Sequence, residues 1–233
     1  MKFLKNSLFL LILTFYSASK SQDLNEPLRQ FRDALESNVF RPHLVQKVLD
    51  LQNRIPDEFL NKPIFNGFTP LGYLAKRANH FLSYSPDCLI NFISRGADIF
   101  AGDPGKSAIE VLVKDVSTHS RYENIIKNLI VALRFGTNAR NREAVLRLLK
   151  ATNFDFSRAN LDAVKEFIAV LIQQNLLDEE LVYSLIRANL ENKDFSIYLL
   201  SKLKQYEEPA GPAPVHRPLT QVQSIIAECL AAQ

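Results

Sequence analysis

Glycine is scarce in this chain, with 7 in 233 residues, and no stretch of strand length alternates apolar and polar residues. Those two lacks exclude a loop-rich β fold. Cysteine is limited to Cys88 and Cys229, with no Cys-x-x-Cys pair, which removes the zinc-ribbon and thioredoxin-like classes. The four histidines (His43, His80, His119, His216) have no His or Glu partner at metal-ligand spacing, so no metal or other cofactor is expected. No Gly-x-Ser-x-Gly elbow occurs. Gly105-Lys106-Ser107 ends like a phosphate loop, but Phe100 stands where that motif needs glycine, and no strand precedes it. Acidic residues are mixed with basic ones, as in Asp178-Glu179-Glu180 and Glu191-Asn192-Lys193-Asp194, the pattern of a solvated face. These absences point away from an enzyme.

Long hydrophobic runs are also missing. The apolar run Leu8–Leu13, continuing to Tyr16, spans about ten residues, whereas a membrane-crossing helix needs ~20. Lys2 and Lys5 precede it, and Ser17, Ala18 and Ser19 follow. A basic start, a short apolar stretch and a small-residue exit make a secretory signal peptide over residues 1–19. The expectation is therefore an exported chain, secreted or periplasmic, with no membrane span once the leader is removed. Loss of Lys2 and Lys5 lowers the formal charge from +3 to +1. A near-neutral chain lacks the basic footprint of a nucleic-acid binder.

What is present is helix. Apolar residues make up 47% of the chain and recur at three- and four-residue spacing. Helical patterns cover about 23–39, 42–55, 70–78, 86–95, 107–114, 121–134, 140–150, 159–175, 178–192 and 194–205. Residues 56–69 and 97–105 are turn-rich. Residues 207–218 carry four prolines and read as a semi-rigid linker. A short amphipathic stretch at 219–233 follows, with Val222, Ile225, Ile226, Cys229 and Leu230 on one side. Cys88 and Cys229 both lie on apolar stripes, where cysteine acts as a small hydrophobe. They are expected as buried thiols, although an oxidising compartment would permit pairing.

Paired helices with short connections call for a search for a period. Gly67-Phe68-Thr69-Pro70-Leu71-Gly72-Tyr73-Leu74-Ala75 supplies one. Thr69 suits a helix cap, Pro70 the first helical position, and Leu71 and Ala75 the inner face. Cys88 to Ser94 makes a second helix, closed by Gly96-Ala97-Asp98, where glycine permits positive φ. Asp103-Pro104-Gly105-Lys106-Ser107 opens the next unit. Over roughly 61–115 this resembles the ankyrin-repeat family, with the usual His after Thr-Pro-Leu replaced by Gly72. The resemblance implies an all-α, ankyrin-like α-solenoid, with degenerate repeats over 23–155 and further helical pairs over 156–206. It also implies a non-enzymatic, monomeric module that binds a protein partner through its turn tips and concave face; the alternative is a small-ligand-binding or enzymatic helical domain after residue 155. Within the tips, Phe65, Asn66, Phe68, Phe100, Gly102 and Asp103 are the candidate contact residues, the aromatics as anchors.

Overall fold

The computed structural model describes residues 26–37, 43–78, 85–119, 123–189 and 191–207. The expected leader, nearly all of the proline-rich linker and the terminal helix at 219–233 lie outside the described residues. Among those described, the protein is all-helical. Helix α1 covers 26–36. It is followed by α2 (His43–Arg54), α3 (Pro70–Ala78), α4 (Ser85–Ser94), α5 (Ala108–His119), α6 (Glu123–Gly136), α7 (Arg142–Lys150), α8 (Leu161–Gln173), α9 (Glu179–Ala188) and α10 (Lys193–Glu207). A short 3-10 turn at Asp57–Phe59 lies between α2 and α3. One isolated bridge joins Phe65 and Phe68.

Short polar side chains start these helices by accepting the backbone N–H groups that the first turn leaves unpaired. The Thr69 hydroxyl accepts from the Gly72 N–H at 3.1 Å. Ser107 and Glu110 form a reciprocal capping box: the Ser107 hydroxyl accepts from the Glu110 N–H, and the Glu110 carboxylate accepts from the Ser107 N–H. Asn160 caps α8, Asp178 caps α9, and the Asn192 carbonyl accepts from the Phe195 N–H to open α10. Two helix ends are closed alike. The Gly96 N–H reaches Ile93 O and the Ala97 N–H reaches Phe92 O; the Asn175 N–H reaches Ile172 O and the Leu176 N–H reaches Leu171 O. Gly96 and Asn175 both hold positive φ, at 93° and 52°. This left-handed closure satisfies the last carbonyls and turns the chain sharply.

Helix α5 runs five residues past Lys114, where the sequence pattern fades. The hydroxyls of Ser117 and Thr118 donate back to the Lys114 carbonyl. Such bonds let residues of modest helix propensity remain in a last helical turn.

The helices pack in two rows. In one, α2 lies against α4, α4 against α6, α6 against α8, and α8 against α10. In the other, α3 lies against α5, α5 against α7, and α7 against α9. The rows meet through α3 with α4 and α5 with α6. The buried core runs unbroken from Leu28 to Leu199. Packing continues across residue 155, because α8 and α9 sit on α6 and α7.

Side-chain hydrogen bonds tie each stretch of chain to one roughly a unit earlier. The Gln52 amide donates to Cys88 O, and the Gln174 amide donates to Arg134 O at 3.3 Å. The Arg95 guanidinium donates to the carbonyls of Gln52 and Ile55 and to Asp57. Asn189, like Gln52, is buried. Its amide donates to Phe154 O (2.7 Å) and Leu185 O (2.8 Å), and its carbonyl accepts from the Phe156 N–H (2.6 Å). That grip folds 154–156 inward, so Phe154 and Phe156 join Phe167 and Phe195 in one ring cluster. Replacing Asn189 by Leu leaves these buried backbone groups without partners. The expected loss is about 2–4 kcal/mol of unfolding free energy, measured by urea denaturation. A loss below ~1 kcal/mol would show that the segment is held by its phenylalanines alone.

Candidate functional site

The two longest connections that follow an even-numbered helix are residues 55–69 and 95–107. Those at 137–141 and 174–178 are only five residues long. Each long connection ends in a tip, and the tips touch. In the first, Phe65 and Phe68 exchange backbone hydrogen bonds (3.0 and 3.1 Å) around Asn66-Gly67, with φ of 52° and 88°. Positive φ at both central residues is the requirement of a tight hairpin turn, and Asn-Gly meets it with least strain. In the second, the Asp98 carboxylate accepts from the Phe100 N–H and the Lys106 N–H reaches Asp103 O.

The Asp103 N–H donates to Gly67 O at 2.9 Å, and the Lys106 ammonium donates to Asn66 O at 2.7 Å. Lys106 also pairs with Asp103 at 3.7 Å. A Cβ at position 67 would lie 2.1 Å from the Asp103 carboxylate. Gly67 is thus required twice, by its φ and by the neighbouring tip. A Cβ at position 72 would fall 2.6 Å from Lys106 O. Gly72 therefore lets the second tip's backbone lie directly against α3.

The structure divides the expected contact residues into two groups. Asn66, Gly102 and Asp103 are exposed and Phe100 is half-buried. Phe65 and Phe68, expected as anchors for a partner, are instead buried at 8% and 9% exposure. Phe65 packs on Phe31 and Tyr73, and Phe31 packs edge-on against Phe92. Phe68 meets Tyr73 edge-on and lies beneath the ammonium groups of Lys76 and Lys106, 4.7 and 5.8 Å from its ring centre. Such stacking is favourable where the cation is partly desolvated. These rings fix the tip to α1 and α3. Thr69 caps α3, Leu71 and Ala75 are fully buried, and Ala97 is buried behind Gly96 while Asp98 and Gly105 are exposed.

Two residues that the sequence reading passed over secure the second tip from below. Asn61 donates to Gly96 O at 3.2 Å and accepts from the Asp98 N–H at 2.7 Å. Arg95, already described, closes the end of α2. Only their distance from Gly96 and Ile55 in sequence, roughly one unit, could have pointed to them.

Among the described residues, no group of three or more His, Cys, Asp and Glu side chains could hold a metal ion. None of their helices is long and apolar enough to cross a membrane. Cys88 is buried in α4, and burial, with a smaller push from Asp87, raises its thiol from 9.0 to about 12. Comparison of the chain with known protein families, with curated proteins and with solved structures finds no match.

Replacing Gly67 by Ala should destabilise the chain by roughly 1–3 kcal/mol through the left-handed backbone and the clash together. It should also release the Asp103 amide to fast hydrogen exchange; retained protection there would mean that the tips are not interlocked. The Cys88 shift carries its own pH signature. Above about pH 9 the unfolded thiol loses its proton while the folded one keeps it, so this contribution to stability declines as pH rises from 9.0 toward 12. Denaturation of wild type and Cys88→Ala across that range should give the shallower pH slope in the variant.

Proposed function

We propose that this chain is an exported, non-enzymatic interaction module. In this reading it is an ankyrin-like solenoid that binds a protein partner through its paired tips and the adjoining concave face, as a secreted effector or an envelope scaffold. The carrying observation is the pair of long tips, interlocked by the Gly67–Asp103 bond, which presents Asn66, Gly102 and Asp103 together to solvent. The later connections, five residues each, have no comparable projection.

Three further observations support the solenoid. First helices begin at Pro70, Ala108, Arg142 and Glu179, a step of 34 to 38 residues. Cross-unit hydrogen bonds and ion pairs join residues 28 to 43 apart along the array. The two-row packing gives each helix neighbours mainly from the adjacent pairs, the arrangement of a repeat protein. A rigid platform with backbone-fixed tips loses little entropy on binding, which favours recognition of a folded surface.

Photo-crosslinking tests the reading. A photoreactive residue placed at position 103 should trap one protein from envelope or host-cell extract, and the extract that yields it separates scaffold from effector. The same residue at exposed Arg147 on α7 should not. The combined change Asn66→Gly with Asp103→Lys keeps the turn's positive φ, removes only an exposed ion pair worth ~0–1 kcal/mol, and should abolish capture. Equal capture by this variant, or trapping at 147 but not 103, would sink the proposal.

A further inference from the structure

Helices α3, α5, α7 and α9 share one internal register. Leu71, Ile109, Val145 and Val182, one on each, are all 0% exposed and stand 38, 36 and 37 residues apart. Five residues after each of them comes a cation: Lys76, Lys114, Lys150 and Arg187. Because α3 packs on α5, α5 on α7 and α7 on α9, these cations form a ladder with one rung per unit along that row. Lys76, Lys114 and Arg187 are exposed, and Lys150 is half-buried.

Helix ends attract cations, and Lys76 does lie in the last turn of α3. Lys114 does not fit that account. Helix α5 continues five residues beyond it, to His119, and the pull of a helix end fades within one turn.

The rungs differ in what holds them. The Lys150 ammonium pairs with Asp178 at 2.6 Å and with Glu180 at 2.8 Å. Neither Lys76 nor Lys114 pairs with a carboxylate among the described residues; Lys76 lies over the Phe68 ring, 4.7 Å from its centre. The carboxylates on or beside α3 and α5 are engaged. Glu36 accepts from the Tyr73 hydroxyl and pairs with Arg77, Asp103 pairs with Lys106, and Glu110 caps α5. Asp115 is half-buried and also engaged. Residues 79–84 and 120–122, which follow α3 and α5, contain no acidic side chain. The two open rungs are thus on the two helices that follow the tips.

Packed helices lie ~8–10 Å apart, so these two charges recur at about that interval. A polyproline-II chain repeats its side-chain direction every three residues, over ~9 Å. A carboxylate at every third position of such a chain meets both rungs from one side. A β-strand alternates its faces, so its third residue along points away.

We propose that Lys76 and Lys114 recognise an extended acidic segment of the protein partner, in polyproline-II form with carboxylates three residues apart. The inference rests on the interaction-module reading and adds the chemistry of the partner to it. The segment crosses α3 and α5 and stops short of α7, where the third rung is already occupied by carboxylates of the chain itself.

The test uses full-length protein, an acetylated peptide of four Glu-Pro-Pro repeats, and a water-soluble carbodiimide, which joins a lysine amine to a carboxylate held against it. Adducts are located by peptide mass mapping. At low ionic strength, coupling at Lys76 and Lys114 should exceed that at the exposed Lys47 and Lys62 by ~5-fold, the selectivity that an exposed ion pair can supply. It should fall to their level in ~1 M salt, where charges are screened within ~3 Å. A peptide of the same composition with its glutamates adjacent should show no such selectivity. Lys76→Gln should lower coupling at Lys114 by ~3-fold, because one of two joint contacts is lost, and Lys76→Arg should restore it. Even coupling across the exposed lysines, or coupling at Lys114 that ignores Lys76→Gln, would overturn the proposal. If position 103 still traps a partner in that case, the tip reading stands and this inference alone falls. Selective coupling with no trapping at 103 would remove the tips and leave the acidic-segment site.

Discussion

Helix α6 is apolar around most of its circumference. Ile125, Ile126, Leu129, Ile130, Val131, Ala132 and Leu133 are buried, with Asn128 among them. A single hairpin partner covers only one stripe of such a helix, so α6 is stable only when enclosed. It finds α5 in its own pair, α4 before it, α8 after it, and touches α3 as well. Each of those helices in turn buries a face that α6 does not reach. Stacking is the consequence: no pair in the middle of this chain is a folding unit without its neighbours.

The polar interactions follow from that stacking. Bringing successive pairs close enough to share a core also buries the backbone at their connections, and those carbonyls and N–H groups need partners. Asn189 supplies them in the interior and Arg95 at a half-buried junction, and Asn61 and Gln174 make like bonds at exposed ones. Where the junction carries a long connection, the backbone partly provides for itself: the Asn66-Gly67 hairpin and the capping box at Ser107 let the tips project while remaining bonded to each other. Where the connection is five residues, no tip exists: Asp178 caps α9, while the Asn141 side chain bonds back to the Gly136 carbonyl and the Asn138 N–H. Loss of the Thr-Pro-Leu motif after residue 115 thus accompanies shortened connections, while the spacing of the helices persists.

Local features were legible in the sequence. Helix positions, the capping role of Thr69, the burial of Leu71 and Ala75 and the helix stop at Gly96 each depend on neighbours within a turn or two. Asn175 was harder, because asparagine reaches left-handed φ less readily than glycine, so its equivalence to Gly96 shows only in the matched hydrogen bonds. The aromatic residues of the first tip were misjudged for a different reason. Phenylalanines beside a turn look like free anchors, but Phe65 and Phe68 meet Phe31, Tyr73, Lys76 and Lys106, and most of these partners are brought in by tertiary packing rather than by local pattern. Gly72 was read as a missing side chain; its importance lies in what a side chain would strike.

The cross-unit bonds all fall within a narrow band of sequence separation, and this has a bearing on how the chain is made. A residue that must find its partner three or four dozen positions earlier never waits for a distant terminus. Topology of this kind keeps contact order low and lets each pair be completed by the next one made. A polypeptide delivered N-terminus first, whether from a ribosome or through a narrow pore, can therefore lay down each pair on a template already in place. The length of unfolded chain exposed at any moment stays close to a single unit.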